Sequence, residues 1–152
     1  MNPAPEPRTR RLARWMLGVL FIGAGLLHFT NTDGYVAIMP PYLPAHRALV
    51  LVSGVAEILG GLGVLLSAPV RHWAGIGLAV LLIAVVPANL HMALAGLGFD
   101  GVPAEGAEQL LLWLRLPLQA VLIAWALWAS GVWPRGEQAT SAGTFPGRPL
   151  RR

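Results

Sequence analysis

The sequence predicts an all-α membrane protein, a bundle of four transmembrane helices with both termini on the cytoplasmic side. Three observations carry this. Of the 152 residues, 55% are hydrophobic and only 12% are charged, whereas about a quarter of a soluble domain is charged. The apolar residues gather in four runs, approximately 12–30, 48–68, 73–94 and 110–133, each near the length of about 20 residues that a bilayer requires. The charges sort between the connections, as membrane topology demands. No room is left for a second domain.

The first element is an Arg-rich cytoplasmic tail over residues 1–11. All eleven basic residues are Arg. Arg8, Arg10, Arg11 and Arg14 lead into the first span, Arg71 lies between the second and third, and Arg135, Arg148, Arg151 and Arg152 follow the fourth. Asp33, Asp100, Glu105 and Glu108 fall in the other two connections. The positive-inside rule then places both tails and the loop 69–72 in the cytoplasm, in the inner membrane of a bacterium. The high pI therefore reports topology and lipid headgroups as partners, with no nucleic acid. No small-residue cleavage pattern follows the first apolar run, which reads as a signal anchor. Residues 134–152, rich in Gly, Pro, Ser and Thr, read as a disordered tail.

The membrane domain occupies 12–133. Its helices carry small residues at intervals: Gly18, Gly23 and Gly25 in the first, Gly54, Gly60, Gly61 and Gly63 in the second, Gly75 and Gly77 in the third. In lipid, such stripes let backbones approach closely. Pro87 and Pro117 interrupt the third and fourth runs, each removing a hydrogen bond and freeing the carbonyl four residues back. Asn89 and Arg115 are the expected donors to the freed carbonyls of Ile83 and Trp113. Between the first two spans, Met39–Pro44 reads MPPYLP, and its three prolines predict an extended segment. Tyr35 and Tyr42 suit the headgroup level, as do most of the six tryptophans. His46 and His72 read as surface residues in loops.

The informative residues are polar ones inside the apolar runs. Glu57 lies nine residues into the second run, roughly 14 Å deep at 1.5 Å per residue. His28 ends the first span, Asn89 and His91 end the third, and Arg115 and Gln119 share a face of the fourth. Helix directions put all of them in the outer half, and four helices contribute. A polar cavity facing the extracytoplasmic side is the expectation. Ser53, Glu57 and Gly61 fall on one helix face at four-residue steps. Glu57 has three options: pairing with Arg115, protonation through burial, or binding a ligand cation or proton donor. A structural Glu57–Arg115 tie, completed by Gln119 and Asn89, is the plain alternative to a ligand site. His28 and His91 stand at similar depth and are of a type that ligates metal or haem. The interfacial-histidine reading is preferred for both, so no metal or haem is expected. Met39 and Met92 are too scattered to argue for copper.

The chain has no cysteine, which excludes thiolate clusters, thiolate zinc sites and covalent haem. It also lacks a phosphate-binding glycine loop, paired carboxylates and an ordered nucleophile triad, which argues against autonomous catalysis.

Laid out in order, the segments AGLLHF (24–29), MPPYLP (39–44), SGVAEILGGLG (53–63), VPANLHMAL (86–94) and LRLPLQAVLIAW (114–125) resemble the DoxX-like family of small four-helix membrane proteins. The likeness runs from about Arg14 to Trp133 and is most specific at the glycine-flanked glutamate and the R-x-P-x-Q stretch. It points to the short bacterial branch of that family. Members include subunits of thiosulfate:quinone oxidoreductase, partners of oxidative-stress enzymes, and proteins that mature or chaperone others. The lack of cysteine departs from the thiol-handling members. No motif defines the quinone-linked activity, so no residue role is carried over from it.

Three functions compete. In the first, a redox-associated subunit holds a quinone head in the outer cavity, with Arg115, Gln119 or His28 donating to its carbonyl oxygens and Glu57 relaying a proton. In the second, a scaffold, chaperone or assembly factor uses the same residues as a lock and binds a partner protein, or a second copy. The third is a small-solute permease, ranked last because no inverted repeat is evident.

Overall fold

The computed structural model describes residues 6–98 and 101–133. These fold into six helices: α1 (Arg8–Thr30), α2 (Thr32–Ala37), α3 (His46–Gly63), α4 (Ala68–Ala84), α5 (Val86–Ala95) and α6 (Ala107–Ser130). Four units are long and apolar enough to cross a membrane: α1, α3, α4 continued by α5, and α6. The fold is the expected all-α four-helix bundle. The tail expected over 134–152 lies outside the described residues.

Local chemistry sets the ends. Pro7 precedes α1 and its carbonyl accepts the Arg11 N–H at 3.2 Å, so the arginines of the N-terminal stretch ride on a helix that starts a turn before the apolar run. Arg is a good helix former, and nothing in Arg8–Arg14 opposes this. The third span breaks at Val85 (φ −89°, ψ −1°), and Pro87, lacking an N–H, sits in the first turn of α5. Pro117 is carried inside α6 without ending it. Gly96 and Gly131, both at positive φ, stop α5 and α6.

The first connection differs from expectation in three ways. It contains a short helix, α2, and the MPPYLP segment turns instead of extending: the Leu43 N–H reaches back to the Pro40 carbonyl at 3.1 Å. Pro41 fixes the φ that such a turn needs at its second position. His46 is not a loop residue either. It opens α3, half-buried, with Nε2 3.0 Å from the same Pro40 oxygen.

The four spans form a ring: α1 packs chiefly on α3, α3 also on α4, α4 on α6, and α6 closes onto α1. The α1–α3 seam is the tightest. A Cβ on Gly25 would come 2.6 Å from the Gly54 carbonyl oxygen, so glycine is required for that approach. Leu17, Phe21, Val64, Leu78, Leu82, Ala126 and Ala129 form the core of the half nearer the termini. A smaller core of Ile38, Met92, Ala93 and Leu112 fills the other half. Large apolar side chains such as Leu12, Val19, Leu27, Leu59, Leu94 and Val121 point outward. That outer surface is made for lipid, where an exposed leucine costs nothing.

Candidate functional site

The close approach of α1 and α3 delivers His28, in the last turn of α1, onto α3. Its Nδ1 lies 3.0 Å from the Val50 carbonyl oxygen, and a carbonyl can only accept, so Nδ1 carries the hydrogen. The Thr32 hydroxyl donates to the His28 carbonyl at 2.7 Å where the chain turns into α2. Tyr35 on α2 then stacks on the imidazole, ring centroids 4.1 Å apart at 16°.

With Nδ1 committed, Nε2 faces Oε2 of Glu57 at 3.6 Å. That oxygen is buried and has no hydrogen-bond partner. Glu57 therefore faces His28, and the pairing with Arg115, one of the options the sequence left open, is not formed. The reason is backbone distance, because the glycine seam brings α1, and not α6, against the Glu57 face of α3. Arg115 instead directs Nη1 at the Met92 sulfur, 3.1 Å away. Tyr35 is sensitive to both charges. Burial pushes its phenol above the usual value, the Glu57 charge adds to this, and Arg115 opposes it. One layer thus holds His28, Tyr35, Glu57 and Arg115.

A second polar set lies between α4, α5 and α6. Gln119, almost fully buried, donates a hydrogen bond from Nε2 to the Leu82 carbonyl. Its Oε1 accepts from Asn89 Nδ2 at 3.3 Å. A break-freed carbonyl is indeed capped by a side chain, but the pairing is not the expected one. Leu82 is among the last four residues of α4, whose carbonyls lose their helical partners at the Val85 break, and Gln119 is the donor that reaches it.

Ser53 is half-buried one turn from Glu57 and adds no side-chain hydrogen bond to either set among the described residues. His91 stands apart from His28. It lines an open apolar groove of about 270 Å³ with Tyr42, Val86, Pro87, Leu90 and Leu94. A second groove, at Leu59, Gly60, Trp73 and Gly77, is apolar too. Glu57, Arg115 and Gln119 line neither groove. Among the described residues no three His, Asp or Glu side chains are grouped to hold a metal ion.

Sequence reasoning missed Tyr35 as a member of the layer, as well as the Val50 carbonyl that fixes the histidine tautomer. No spacing signal pointed to Tyr35, because its ring reaches His28 only through the change of direction at Asn31 between α1 and α2.

No curated protein and no solved structure matches the chain. One family model does, over residues 17–130, from the first buried leucine of α1 to the last residue of α6. It describes a domain of unknown function, DUF8561. The match takes in the later part of α1, the other three spans and both polar sets, and the chain belongs to this family.

Proposed function

We propose that this protein is a DoxX-like, redox-associated subunit of a bacterial inner membrane, in which His28 and Glu57 exchange a proton with a small ligand such as a quinone. One observation carries the reading. Nδ1 of His28 is committed to Val50, and Nε2 faces an otherwise unpartnered carboxylate oxygen. A single proton shared between the two atoms would relieve the opposition of two lone pairs in an apolar interior. The pair is neutral with that proton, either as imidazolium and carboxylate or as imidazole and carboxylic acid. Without it, a net negative charge is left inside the bundle, where charge is costly. Such a pair is built to hold and pass one proton. When a bound quinol is oxidised to quinone, its two electrons go to a partner redox protein; the pair, having first released its own proton to the water outside, takes up one of the two protons and the other passes to that water. Tyr35 covers the imidazole, so the ligand enters as α2 moves aside. Arg115 is the nearby donor for a ligand oxygen.

A second reading is a scaffold for a partner protein, with the polar layer as its lock. What favours it is closure: Glu57 Oε2 is shielded from solvent, and the surface grooves are lined elsewhere.

The deciding experiment is a native mass spectrum of protein released gently from its own membranes, for wild type and Glu57→Gln. An adduct of quinone mass that weakens in the variant is the expected result. Bare protein, or protein carrying only a partner chain, overturns the redox reading in favour of the scaffold.

A further inference from the structure

The two ends of the bundle are fastened differently. At the end that carries the termini, Arg14 Nη1 donates to both oxygens of Glu6, at 2.6 and 2.7 Å, with Arg71 Nη1 4.0 Å from the same carboxylate. Arg10 joins this cluster and directs Nε and Nη2 to the Trp128 carbonyl, at 2.9 and 2.6 Å. The opposite end is shut by one continuous segment, residues 32–45. Tyr35 lies on the His28 ring. Ile38 is seated among Ala93, Leu112 and Met92, whose sulfur Arg115 approaches. Pro40 is fully buried, and its carbonyl accepts from the Leu43 N–H at 3.1 Å and from His46 Nε2 at 3.0 Å. Glu57 and Arg115 line neither groove, so space for a ligand at the layer must come from what covers it.

Two features set the balance between this cover and its removal. Where the segment joins α3, Ala45 has φ 51° and ψ 45°, and it is the only non-glycine residue at positive φ among the described residues. In that left-handed conformation a Cβ crowds the following carbonyl oxygen, a strain that glycine escapes. The seating of Ile38 and Pro40 holds Ala45 there, so lifting the segment releases strain. Beside this joint, Asp33 of α2 accepts from Arg47 in the first turn of α3 at 2.9 Å. Both side chains are exposed, 93% for Asp33 and 68% for Arg47, so the pair is weak and screened by salt. A strained joint and a weak fastening suit a cover that opens.

We propose that residues 32–45 form a spring-loaded lid over the His28–Glu57 pair, jointed at Ala45 and latched by Asp33 and Arg47, and that the ligand takes the space that Tyr35 and Ile38 vacate. The ligand clause rests on the proton-exchange reading above, and the lid itself does not. Closed, the lid holds the layer dry and competes with the ligand for one space. Whatever shifts the lid toward closure therefore lowers apparent affinity by the fraction of open molecules lost. Relief of the Ala45 strain favours closure, and removal of the latch favours opening, so the two kinds of variant act in opposite directions.

The test is hydrogen exchange of the full chain in phosphatidylcholine nanodiscs, read by mass spectrometry at the amides of Tyr35, Met39 and Leu43. These are bonded to the carbonyls of Asn31, Val36 and Pro40, and a helix as short as α2 does not hold together once lifted. Ala45→Gly slows exchange several-fold, by the same factor at all three amides. Asp33→Asn and Arg47→Gln each speed it by about 1.5- to 5-fold, the range of an exposed ion pair, and the double variant goes no further. Added sodium chloride speeds wild type and not Asp33→Asn. Amides of α6 stay unchanged throughout. If Ala45→Gly slows Leu43 alone, or if the latch variants match wild type, there is no such lid. Native mass spectra of the same variants, with decylubiquinone added as the probe, read the ligand clause. Ala45→Gly retains several-fold less of it than wild type and Asp33→Asn more. Quinone retention indifferent to both variants overturns the lid and leaves the proton-exchange reading standing. The expected exchange responses with no quinone adduct leave the lid standing and overturn that reading.

Discussion

Gly54 lies directly beneath His28. A Cβ placed on Gly54 would come 2.7 Å from the His28 Cβ and 2.9 Å from the Gly25 carbonyl oxygen. The position of the imidazole against Val50 and Glu57 is therefore set by a missing methyl group on the neighbouring helix.

Gly54→Ala is accordingly expected to destabilise the bundle by about 1–3 kcal/mol, the usual cost of forcing a methyl into a filled contact. Gly77→Ala, where an added Cβ meets nothing within 4 Å, leaves stability unchanged or slightly raised through helix propensity. Thermal unfolding of the two variants in one detergent reads the difference. Equal melting temperatures would show that the α1–α3 seam is looser than described.

Gln119→Leu keeps the side chain's size and removes the donor to the Leu82 carbonyl. Leaving a buried acceptor unpaired costs about 1–3 kcal/mol. Asn89→Ala costs less, since its bond to Gln119, at 3.3 Å, is only partly buried. Denaturant titration in mixed micelles orders the two. A smaller loss for Gln119→Leu than for Asn89→Ala would mean that the α4 carbonyl finds another donor.

Glu6 supplies a pH dependence. Burial alone would raise its carboxyl, but the Arg14 hydrogen bond, then the charges of Arg14, Arg71 and Arg10, outweigh burial and hold it below the usual 4.5. A depressed carboxyl stabilises the folded chain fully above pH 4.5, and that contribution disappears as pH falls through the folded value. Melting temperature should therefore decline on acidification below pH 4.5 more steeply in wild type than in Glu6→Gln. Parallel curves would remove Glu6 from the terminal cluster.

Four spans and the band of polar residues between them are legible from residue types alone, because bilayer thickness fixes run lengths and lipid tolerates so few polar side chains. Which polar group meets which is not legible. Glu57 had Arg115 as its obvious partner by charge, yet it faces His28, because the choice depends on how α1 and α3 rotate against one another along Gly25 and Gly54. The side chain that reaches Leu82 is likewise decided by the break at Val85, whose location Pro87 signals but whose freed carbonyls depend on the local dihedral angles. The helix α2 was hidden by its brevity and by Gly34 within it, so a six-residue turn of helix reads as loop. The start of the first helix was read at residue 12 and not at Arg8 because apolar runs, not helix-forming arginines, defined the first span. The family match adds no chemistry to this, since its description states no function.

The bonds from Arg10 to the Trp128 carbonyl join residues 118 positions apart. During synthesis α1 and α3 can meet as soon as both exist, but this fastening must wait for almost the entire membrane domain. Until α6 arrives, the arginine has no carbonyl to hold and the ring of helices stays open on that side. Closure of the bundle is thus tied to its last helix, and a chain interrupted before Ala107 would expose the unfinished side to the lipid, where membrane quality control can distinguish it from the completed protein.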